Sequence, residues 1–327
     1  MKAIHALVPV LLILALCSLL SLGVALWVGS VPLSLHDLRA LFSGGETSLA
    51  QTVLMQLRLP RALTAFALGG LLALAGTYMQ VLLRNPLADP YIMGTSGGAA
   101  VAALVAMLVG LTGLAVQGAA ALGAFATILV VFALAHAEGS WSPLRLLLTG
   151  VVVAAGTSAA VSLLLALGDE AKLRGMLFWL MGDISNYTRA LPLWGLLLLA
   201  TALTWLLARH LNVLARGELQ AKNLGLNIKR VRIALFAASA LLTAAAVTTA
   251  GSIGFVGLVT PHLARLLVGA DHRRVVPAAV LLGGCLLTLA DTAARAVLAP
   301  RQLPVGALTA LIGVPVFLGL MYRRTNR

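Results

Sequence analysis

The feature that most restricts the fold is a series of long apolar runs without charged residues. They lie between Arg61 and Arg84, Arg145 and Asp169, Arg189 and Arg209, Arg232 and His262, and Arg301 and Arg323. A helix needs about 20 mostly apolar residues to cross a bilayer core, and each run is long enough. Only 10% of the 327 residues are charged, against about 25% in soluble globular proteins. The sequence therefore predicts a protein that crosses a membrane repeatedly.

Ten spans account for the apolar segments. The run from Leu87 to His136 is too long for one span, so we expect two helices that separate near 110–118. The segment 6–31 resembles a signal peptide, but it is long and further spans follow, which favours a first membrane helix. The predicted spans are 6–31, 62–83, 92–110, 117–135, 146–168, 190–208, 233–250, 252–267, 275–294 and 304–322. The fold class is an all-α polytopic bundle in one transmembrane domain, 1–327, since no loop can hold a separate soluble domain.

The distribution of basic residues predicts the orientation of the bundle. Lys and Arg total 23. With ten spans, 15 of these fall on the side of the termini and 8 on the other side. Positive residues are enriched in cytoplasmic loops. We therefore expect both termini in the cytoplasm and the protein in the bacterial inner membrane.

Several classes of function lack the residues they need. There is no GxxxxGK[ST] phosphate loop, and no nucleophile and base pattern predicts a catalytic site. The net charge of +13 is not gathered into one soluble segment, which argues against nucleic acid binding. Cys17 and Cys285 lie in apolar runs, and His262 is more typical of a packed residue than of a metal ligand. We predict no catalytic residue, cofactor or metal site, so energy for any transport must come from a partner.

The sequence RLPR at 58–61 places Arg58 and Arg61 at the predicted outer end of the second span. Arginines at helix ends often extend toward the membrane surface while their stems stay in lipid. Alternatively, their guanidinium groups form a docking point for carboxylates of an external partner. The spacing alone leaves both interpretations open.

Asp291 and Arg295 stand four residues apart in the ninth predicted span. At this spacing on a helix the two side chains share a face and can neutralise each other. Ionisable residues within spans indicate function by default. A structural ion pair near the outer surface is an equally good interpretation.

The longest predicted cytoplasmic connection is the segment 209–232. It predicts a short amphipathic helix bounded by Gly217 and Gly225, with apolar positions Leu214, Leu219, Leu224 and Leu226. The loop could lie against anionic lipid headgroups. It could instead be a coupling helix that inserts into a groove of a cytoplasmic motor subunit.

The stretch 84–100 is predicted to be a cytoplasmic turn. Pro86 and Pro90 end one helix, and Gly94, Gly97 and Gly98 open the next. The glycines alone would allow a phosphate loop, but the lysine of such a loop is missing. We therefore favour a structural hinge.

Long motifs along the chain resemble those of FecCD-type ABC permeases, a family that imports vitamin B12, haem and ferric siderophores. The motifs are RLPR at 58–61, RNPLADP at 84–90, FWLMGD at 178–183, LARGELQAKNLGL at 214–226, GSIGFVGLVTPHLARLLVGADHR at 251–273, LADTAAR at 289–295 and LPVGALTALIGVPVF at 303–317. They occur in the same order as in the family and cover nearly the whole chain.

This resemblance implies a ten-helix type II ABC importer permease that pairs with a second copy of itself around a central path. It also implies two cytoplasmic ATPase subunits and a periplasmic substrate-binding protein as partners, with membrane lipid around the bundle. Arg58, Arg61 and Arg295 match the family's docking arginines. Glu218, Ala221, Leu224 and Gly225 match its coupling helix, which begins after Gly217.

Two positions depart from the family pattern. Gln302 stands where the family usually has Glu before LPVG, so a carboxylate role there cannot be transferred. GTSGG at 94–98 also differs from the commoner form. The sequence does not identify the chelate, although similarity to the vitamin B12 permease slightly favours cobalamin. The alternative class, an ion-coupled secondary transporter, would require several carboxylates at mid-membrane depth.

Overall fold

The computed structural model describes residues 7–29, 49–136, 142–185 and 190–325, and all regular secondary structure in this part of the chain is helical. The helices are α1 (Leu7–Trp27), α2 (Leu59–Leu82), α3 (Thr95–Leu108), α4 (Leu114–His136), α5 (Pro143–Leu167), α6 (Glu170–Leu180), α7 (Ala190–Leu206), α8 (Ala208–Ala215), α9 (Glu218–Asn223), α10 (Ile228–Ala250), α11 (Val256–Val268), α12 (His272–Ala296) and α13 (Val305–Thr325). A short helix, Leu49–Thr52, and a π-helical segment, Val53–Arg58, lead directly into α2. A 3₁₀ turn, Pro90–Met93, precedes α3.

Each predicted span has a helical counterpart. Six helices in the described ranges are long and apolar enough to cross a membrane, and α7 and α8 form a further span bent by 60°. Three shorter apolar helices, Thr95–Leu108, Val256–Val268 and Val305–Gly319, account for the remaining predictions. The all-α membrane bundle of about ten spans is confirmed. The break predicted near 110–118 lies between α3 and α4.

Helix α2 forms the centre of the bundle. In the most apolar part of its span, 94% of the residues are buried. Small residues allow its neighbours to approach closely. A Cβ atom on Gly69 would lie 2.1 Å from the carbonyl oxygen of Gly283 in α12. One on Gly76 would lie 1.8 Å from that of Gly257 in α11. Backbone contact of this kind is the usual role of glycine between membrane helices.

Short polar side chains begin several helices. Ser142 accepts a hydrogen bond from the backbone N–H of Arg145 at the start of α5, and Asn227 accepts one from Arg230 at the start of α10. Asp271 does the same for Arg273 at the start of α12. Each cap satisfies one of the amide groups that a helix leaves unpaired in its first turn.

The bundle has two distinct ends. Helices α4 and α10 run antiparallel, since the rings of Phe132 and Phe236, which lie at opposite termini of their helices, are 5.8 Å apart. We call the end that carries α8 and α9 the loop end. We call the opposite end, where α2 begins and α12 ends, the far end.

Three local expectations need correction. Helix α6 was not predicted, because its charged residues Glu170, Lys172 and Arg174 suggested a loop. Helix α10 begins at Ile228, five residues before the predicted span. The segment 209–232 contains two helices, and Leu214 belongs to the buried face of α8 rather than to the predicted amphipathic helix.

Candidate functional site

At the far end, Arg61 and Asp291 form an ion pair with two parallel contacts. Arg61 Nε lies 2.9 Å from Oδ2 of Asp291, and Arg61 Nη2 lies 2.8 Å from Oδ1. The Asp291 side chain is only 2% exposed and that of Arg61 is 15% exposed. The two-pronged geometry is the one in which Arg binds a carboxylate most strongly. The pair joins α2 to α12.

Arg295 and Arg58 lie beside this pair and bind the last turn of α1. Arg295 Nε is 3.6 Å from Oδ2 of Asp291, and its Nη2 donates to the carbonyl oxygen of Ala25. Arg58 Nη1 donates to the carbonyl oxygens of Leu26 and Trp27, each at 2.9 Å. The last carbonyls of a helix have no partner within the helix and carry partial negative charge. Two arginines thus stabilise the end of α1.

The structure therefore brings together the three arginines predicted to dock a binding protein, and it adds a role inside the chain for each. Arg58 is 4% exposed, and Arg61 and Arg295 are mostly buried. The ion pair expected between Asp291 and Arg295 is present, but Arg61 makes the closer contact with the carboxylate. Docking by these arginines stays a prediction.

Gln302 extends the polar network to a third element. Its Oε1 accepts from Arg61 Nη1 at 3.3 Å, and its Nε2 donates to Oδ1 of Asp183 at 3.0 Å. Asp183 also accepts from the backbone N–H and the hydroxyl of Ser185. An amide can donate to one side and accept from the other, which a carboxylate cannot do. Gln302 thus bridges a cation and an anion in this chain.

Backbone hydrogen bonds connect two family motifs, at 178–183 and 303–317, and the end of α10 at the same place. Val305 N donates to Gly182 O at 3.1 Å, Gly306 N to Met181 O at 3.0 Å, and Asp183 N to Ala250 O at 2.8 Å. Gly182 adopts a φ of +83°, which L residues rarely adopt. The ends of α6 and α10 and the start of α13 therefore meet in one rigid junction beside the arginines.

A cavity of about 570 Å³ opens next to this junction, between α6, α10 and the turn that joins α3 to α4. Its lining includes Lys172, Trp179, Asp183 and Thr248. Lys172 Nζ donates to the carbonyl oxygen of Leu108 at 2.6 Å, which fixes α6 against the end of α3. Helix α6, missed in the sequence, thus shapes the surface at the far end.

At the loop end, glycines define the limits of α9 as predicted. Gly217 precedes the helix with a φ of +117°, and Gly225 ends it with a φ of +75°. Leu226 N donates to Ala221 O at 3.0 Å and Gly225 N to Lys222 O at 2.9 Å. These two bonds form the Schellman arrangement that commonly closes a helix with glycine.

Helix α9 presents two leucines to its surroundings. Leu219 is 75% exposed and Leu224 is 66% exposed, whereas Ala221 is fully buried against the protein. Exposed apolar side chains grouped on a short helix are typical of a segment that enters a groove of another protein. The leucines, rather than Ala221, can make such a contact.

Glu218 links α9 to two other elements. Its Oε1 lies 3.3 Å from Nη2 of Arg84, in the turn after α2, and also accepts from Nη2 of Arg232 in α10. The Arg232 side chain is 7% exposed, while those of Arg84 and Glu218 are 41% and 42% exposed. The carboxylate therefore links α9 to the turn that follows α2 and to α10.

A second polar contact joins α8 to the start of α12. Asn212 Nδ2 donates to Oδ1 of Asp271 at 2.7 Å, and Asn212 Oδ1 accepts from the backbone N–H of His272 at 2.8 Å. The segment containing α8 and α9 is therefore attached to α2, α10 and α12.

The chain belongs to the FecCD transport family, whose model matches residues 12–323. The hemin transport system permease protein HmuU of Yersinia pestis is 40% identical over 96% of this chain and 95% of its own length. The cobalamin import system permease protein BtuC of Halobacterium salinarum is also 40% identical, over 86% of this chain and 77% of its own. The described fold and the family membership together define a membrane-embedded transport permease.

A solved structure of a metal-chelate type ABC transporter in an inward-facing conformation superposes with a TM-score of 0.86. It is 35% identical and covers 96% of this chain and 99% of the other. The sequence-based assignment to this family is confirmed, and so is the class of fold.

Proposed function

We propose that this chain is the membrane-spanning subunit of an ATP-binding-cassette importer that moves a bulky metal chelate from the periplasm to the cytoplasm. In this proposal it pairs with a second copy, binds two ATPase subunits at the loop end and receives cargo from a periplasmic binding protein at the far end. The observation that carries the proposal is the family match over 12–323, on a chain whose two ends each present a separate polar cluster.

The far end supports docking of an acidic partner. Two guanidinium groups, on Arg61 and Arg295, contact the carboxylate of Asp291, and a third, on Arg58, binds the end of α1 beside Arg295. Three positive charges less one negative charge leave a net of +2, in a region of restricted exposure. Positive clusters of this kind steer and orient acidic surfaces. Hydrogen bonds to α1 hold two of these guanidinium groups, those of Arg58 and Arg295, in place.

The loop end supports engagement by a separate motor. Leu219 and Leu224 protrude from a helix that Glu218 holds against the bundle. Closure of an ATPase dimer around these leucines would push α9, and the contacts of Glu218 would carry that displacement to α2 and α10. This is a rigid-body route from nucleotide binding to the path through the membrane.

Helix α5 supports pairing with a second copy. In the most apolar part of this helix, only 6% of the residues are buried. Its exposed positions include a row of small residues at helical spacing, Ala155, Ala159, Ser162 and Ala166. Small residues at such spacing allow membrane helices to pack closely. A partner helix on this face would also give the central path its small polar lining.

The relatives indicate the class of cargo, a large metal chelate, but not the particular compound. The hemin and cobalamin permeases are equally identical to this chain. Both cargoes are large metal chelates, so haem and cobalamin are the first to test. The slight preference for cobalamin in the sequence therefore receives no further support, and it stays a prediction.

The test is uptake by proteoliposomes that contain this chain, its ATPase and its binding protein. We expect uptake of one chelate to require ATP and the binding protein, and to stop with an ATPase variant that cannot hydrolyse nucleotide. Uptake that survives ATP removal and collapses with an uncoupler would instead support a secondary transporter. The described spans favour the first result, since Asp291 is their one acidic residue and it is already paired.

A further inference from the structure

An apolar groove of about 580 Å³ runs between α4 and α10 on the outside of the bundle. Its walls include Phe125, Ile128 and Phe132 from α4, and Ile233, Ala237 and Ala240 from α10. Phe125 is 59% exposed, which shows that the groove is open along its side. On a membrane-embedded bundle, this side faces lipid.

The two helices make the groove through side chains of different size. On α10 the lining positions include Ala237, Ala240, Ala244 and Ala245, which recur at helical spacing and form a shallow stripe. On α4 all the facing positions except Ala121 are large, and the ring of Phe132 packs at a tilt against that of Phe236 at the loop end of the groove. A row of alanines opposite aromatic rings leaves a channel that the chain itself does not fill.

The groove has the length of a lipid acyl chain. It extends along α10 from Ile233 to Thr248, which at 1.5 Å per residue is about 22 Å. Half of a bilayer core is about 15 Å thick. A chain that enters at the loop end can therefore lie in the groove through its whole leaflet.

Basic side chains stand at the loop end of the groove. Lys229 and Arg230 are exposed and lie four and three residues before Ile233. They therefore sit one turn below the first lining residue on the same face of α10. At this depth they meet the headgroup layer. Basic clusters next to membrane helices attract anionic lipid headgroups.

We propose that this groove is a binding site for an anionic phospholipid. One acyl chain lies between α4 and α10, and the phosphate binds Lys229 and Arg230. The site lies outside α9 and away from the arginines at the far end, and it does not depend on the proposed transport cargo. The alanine stripe would contact the acyl chain of this lipid, and Lys229 and Arg230 would bind its charged headgroup.

A second groove beside α10 provides a matched control. A smaller groove of about 260 Å³ lies between α10 and α7 and includes Ala234. Ala234 and Ala237 are both exposed and lie one turn apart on the same helix. Ala237→Phe would fill the proposed site, while Ala234→Phe adds the same ring to the other groove.

The experiment is native mass spectrometry of the purified full-length chain with added phosphatidylglycerol or phosphatidylethanolamine. We expect wild type to retain phosphatidylglycerol preferentially, and the preference to fall about fivefold for each cation removed in Lys229→Gln and Arg230→Gln. Ala237→Phe should lower retention of both lipids, whereas Ala234→Phe should not. Arg209→Gln with Arg216→Gln removes two charges elsewhere at the loop end and should leave the preference unchanged.

Three results would overturn the site. Equal retention of the two lipids by wild type would remove the role of the cations. An equal loss in the Arg209 and Arg216 control would reduce the effect to general surface charge. Equal effects of Ala234→Phe and Ala237→Phe would show that the groove between α4 and α10 does not select the acyl chain. Thermal unfolding of each variant checks that the fold is intact.

Discussion

Arg61 holds both carboxylate oxygens of Asp291, a residue 230 positions away along the chain. The contact fixes the start of α2 to the last turns of α12. Because Asp291 is almost fully buried, leaving its charge without this partner would be strongly destabilising. The same guanidinium also reaches Gln302, so one side chain orders much of the far end.

We expect Arg61→Gln to destabilise the protein by about 3 kcal/mol, since it leaves a buried carboxylate with only the longer contact from Arg295. The double variant Arg61→Gln with Asp291→Asn removes both charges and should recover most of that loss. Thermal unfolding in detergent measures both. Arg301→Gln, at an exposed arginine, is the control and should change little. A single variant as stable as wild type would show that the ion pair is not needed.

The docking role requires a variant that keeps the fold. Arg61→Lys retains a charge opposite Asp291 but loses the two-pronged geometry. If the arginines receive an acidic binding protein, this variant should bind that protein more weakly while losing less stability than Arg61→Gln does. Binding of wild type should also weaken as salt is raised. If neither raised salt nor Arg61→Lys changes the affinity for the binding protein, docking at this cluster is contradicted.

Glu218 and the exposed leucines of α9 predict two different failures of coupling. Leu219→Ser with Leu224→Ser removes apolar contact worth about 2 kcal/mol per leucine, so the ATPase should bind far more weakly. Glu218→Gln keeps those leucines but loosens α9 from Arg84 and Arg232. There we expect ATPase binding and hydrolysis to continue while uptake falls.

Pull-down of the ATPase, nucleotide hydrolysis and uptake, measured on the same preparations, separate the two cases. Lys222→Gln changes one exposed charge on α9 without touching either contact and serves as the control. Loss of ATPase binding in Glu218→Gln would place the carboxylate at the motor interface instead. Normal uptake in the same variant would rule out the proposed transmission through Arg84 and Arg232.

Much of the fold was predictable because apolar length and charge placement act locally along the chain. The limits of α9 followed from Gly217 and Gly225, whose backbone conformations few other residues adopt. Helix α6 was missed because its charges occupy a short amphipathic helix that need not cross the membrane. Its apolar positions Leu173, Met176 and Leu177, at helical spacing, were the available signal.

Long-range pairing could not be read from the sequence. The spacing of Asp291 and Arg295 predicted a pair within one helix, but only the crossing of α2 and α12 brings Arg61 closer. Arg84 and Arg232 were counted only as cytoplasmic charges, although both contact Glu218. Arg232 alone gave a hint, because it is the last basic residue before the apolar run of α10, where an inward-facing arginine requires a partner.

The close crossing of α2 and α11 gives a packing prediction. We expect Gly76→Leu to destabilise the bundle by about 3 kcal/mol or more, because its side chain would overlap the backbone of Gly257. Gly23→Leu in α1 is the control, since nothing lies within 4 Å of its added Cβ. Unfolding temperature and the yield of folded protein measure the difference. Equal behaviour of the two variants would mean that α2 and α11 separate easily.

Asp89 predicts how stability depends on pH. Its carboxylate accepts from the backbone N–H of Tyr91 at 2.8 Å, in the turn between α2 and α3. Burial raises the pKa of this carboxyl from 3.8 to about 6. The folded protein therefore binds the proton more tightly than the unfolded chain does. The stability that comes from this proton is fully present below pH 3.8 and is lost as the pH rises through about 6.

We expect wild type to lose about 1 to 3 kcal/mol of stability relative to Asp89→Asn between pH 4 and pH 7. The asparagine oxygen can still accept from Tyr91 N, so the turn keeps its hydrogen bond while the titrating group is gone. Unfolding of both proteins in detergent across this pH range measures the difference. Parallel pH curves for wild type and Asp89→Asn would show that Asp89 keeps an ordinary pKa, and that the turn admits enough water to solvate its charge.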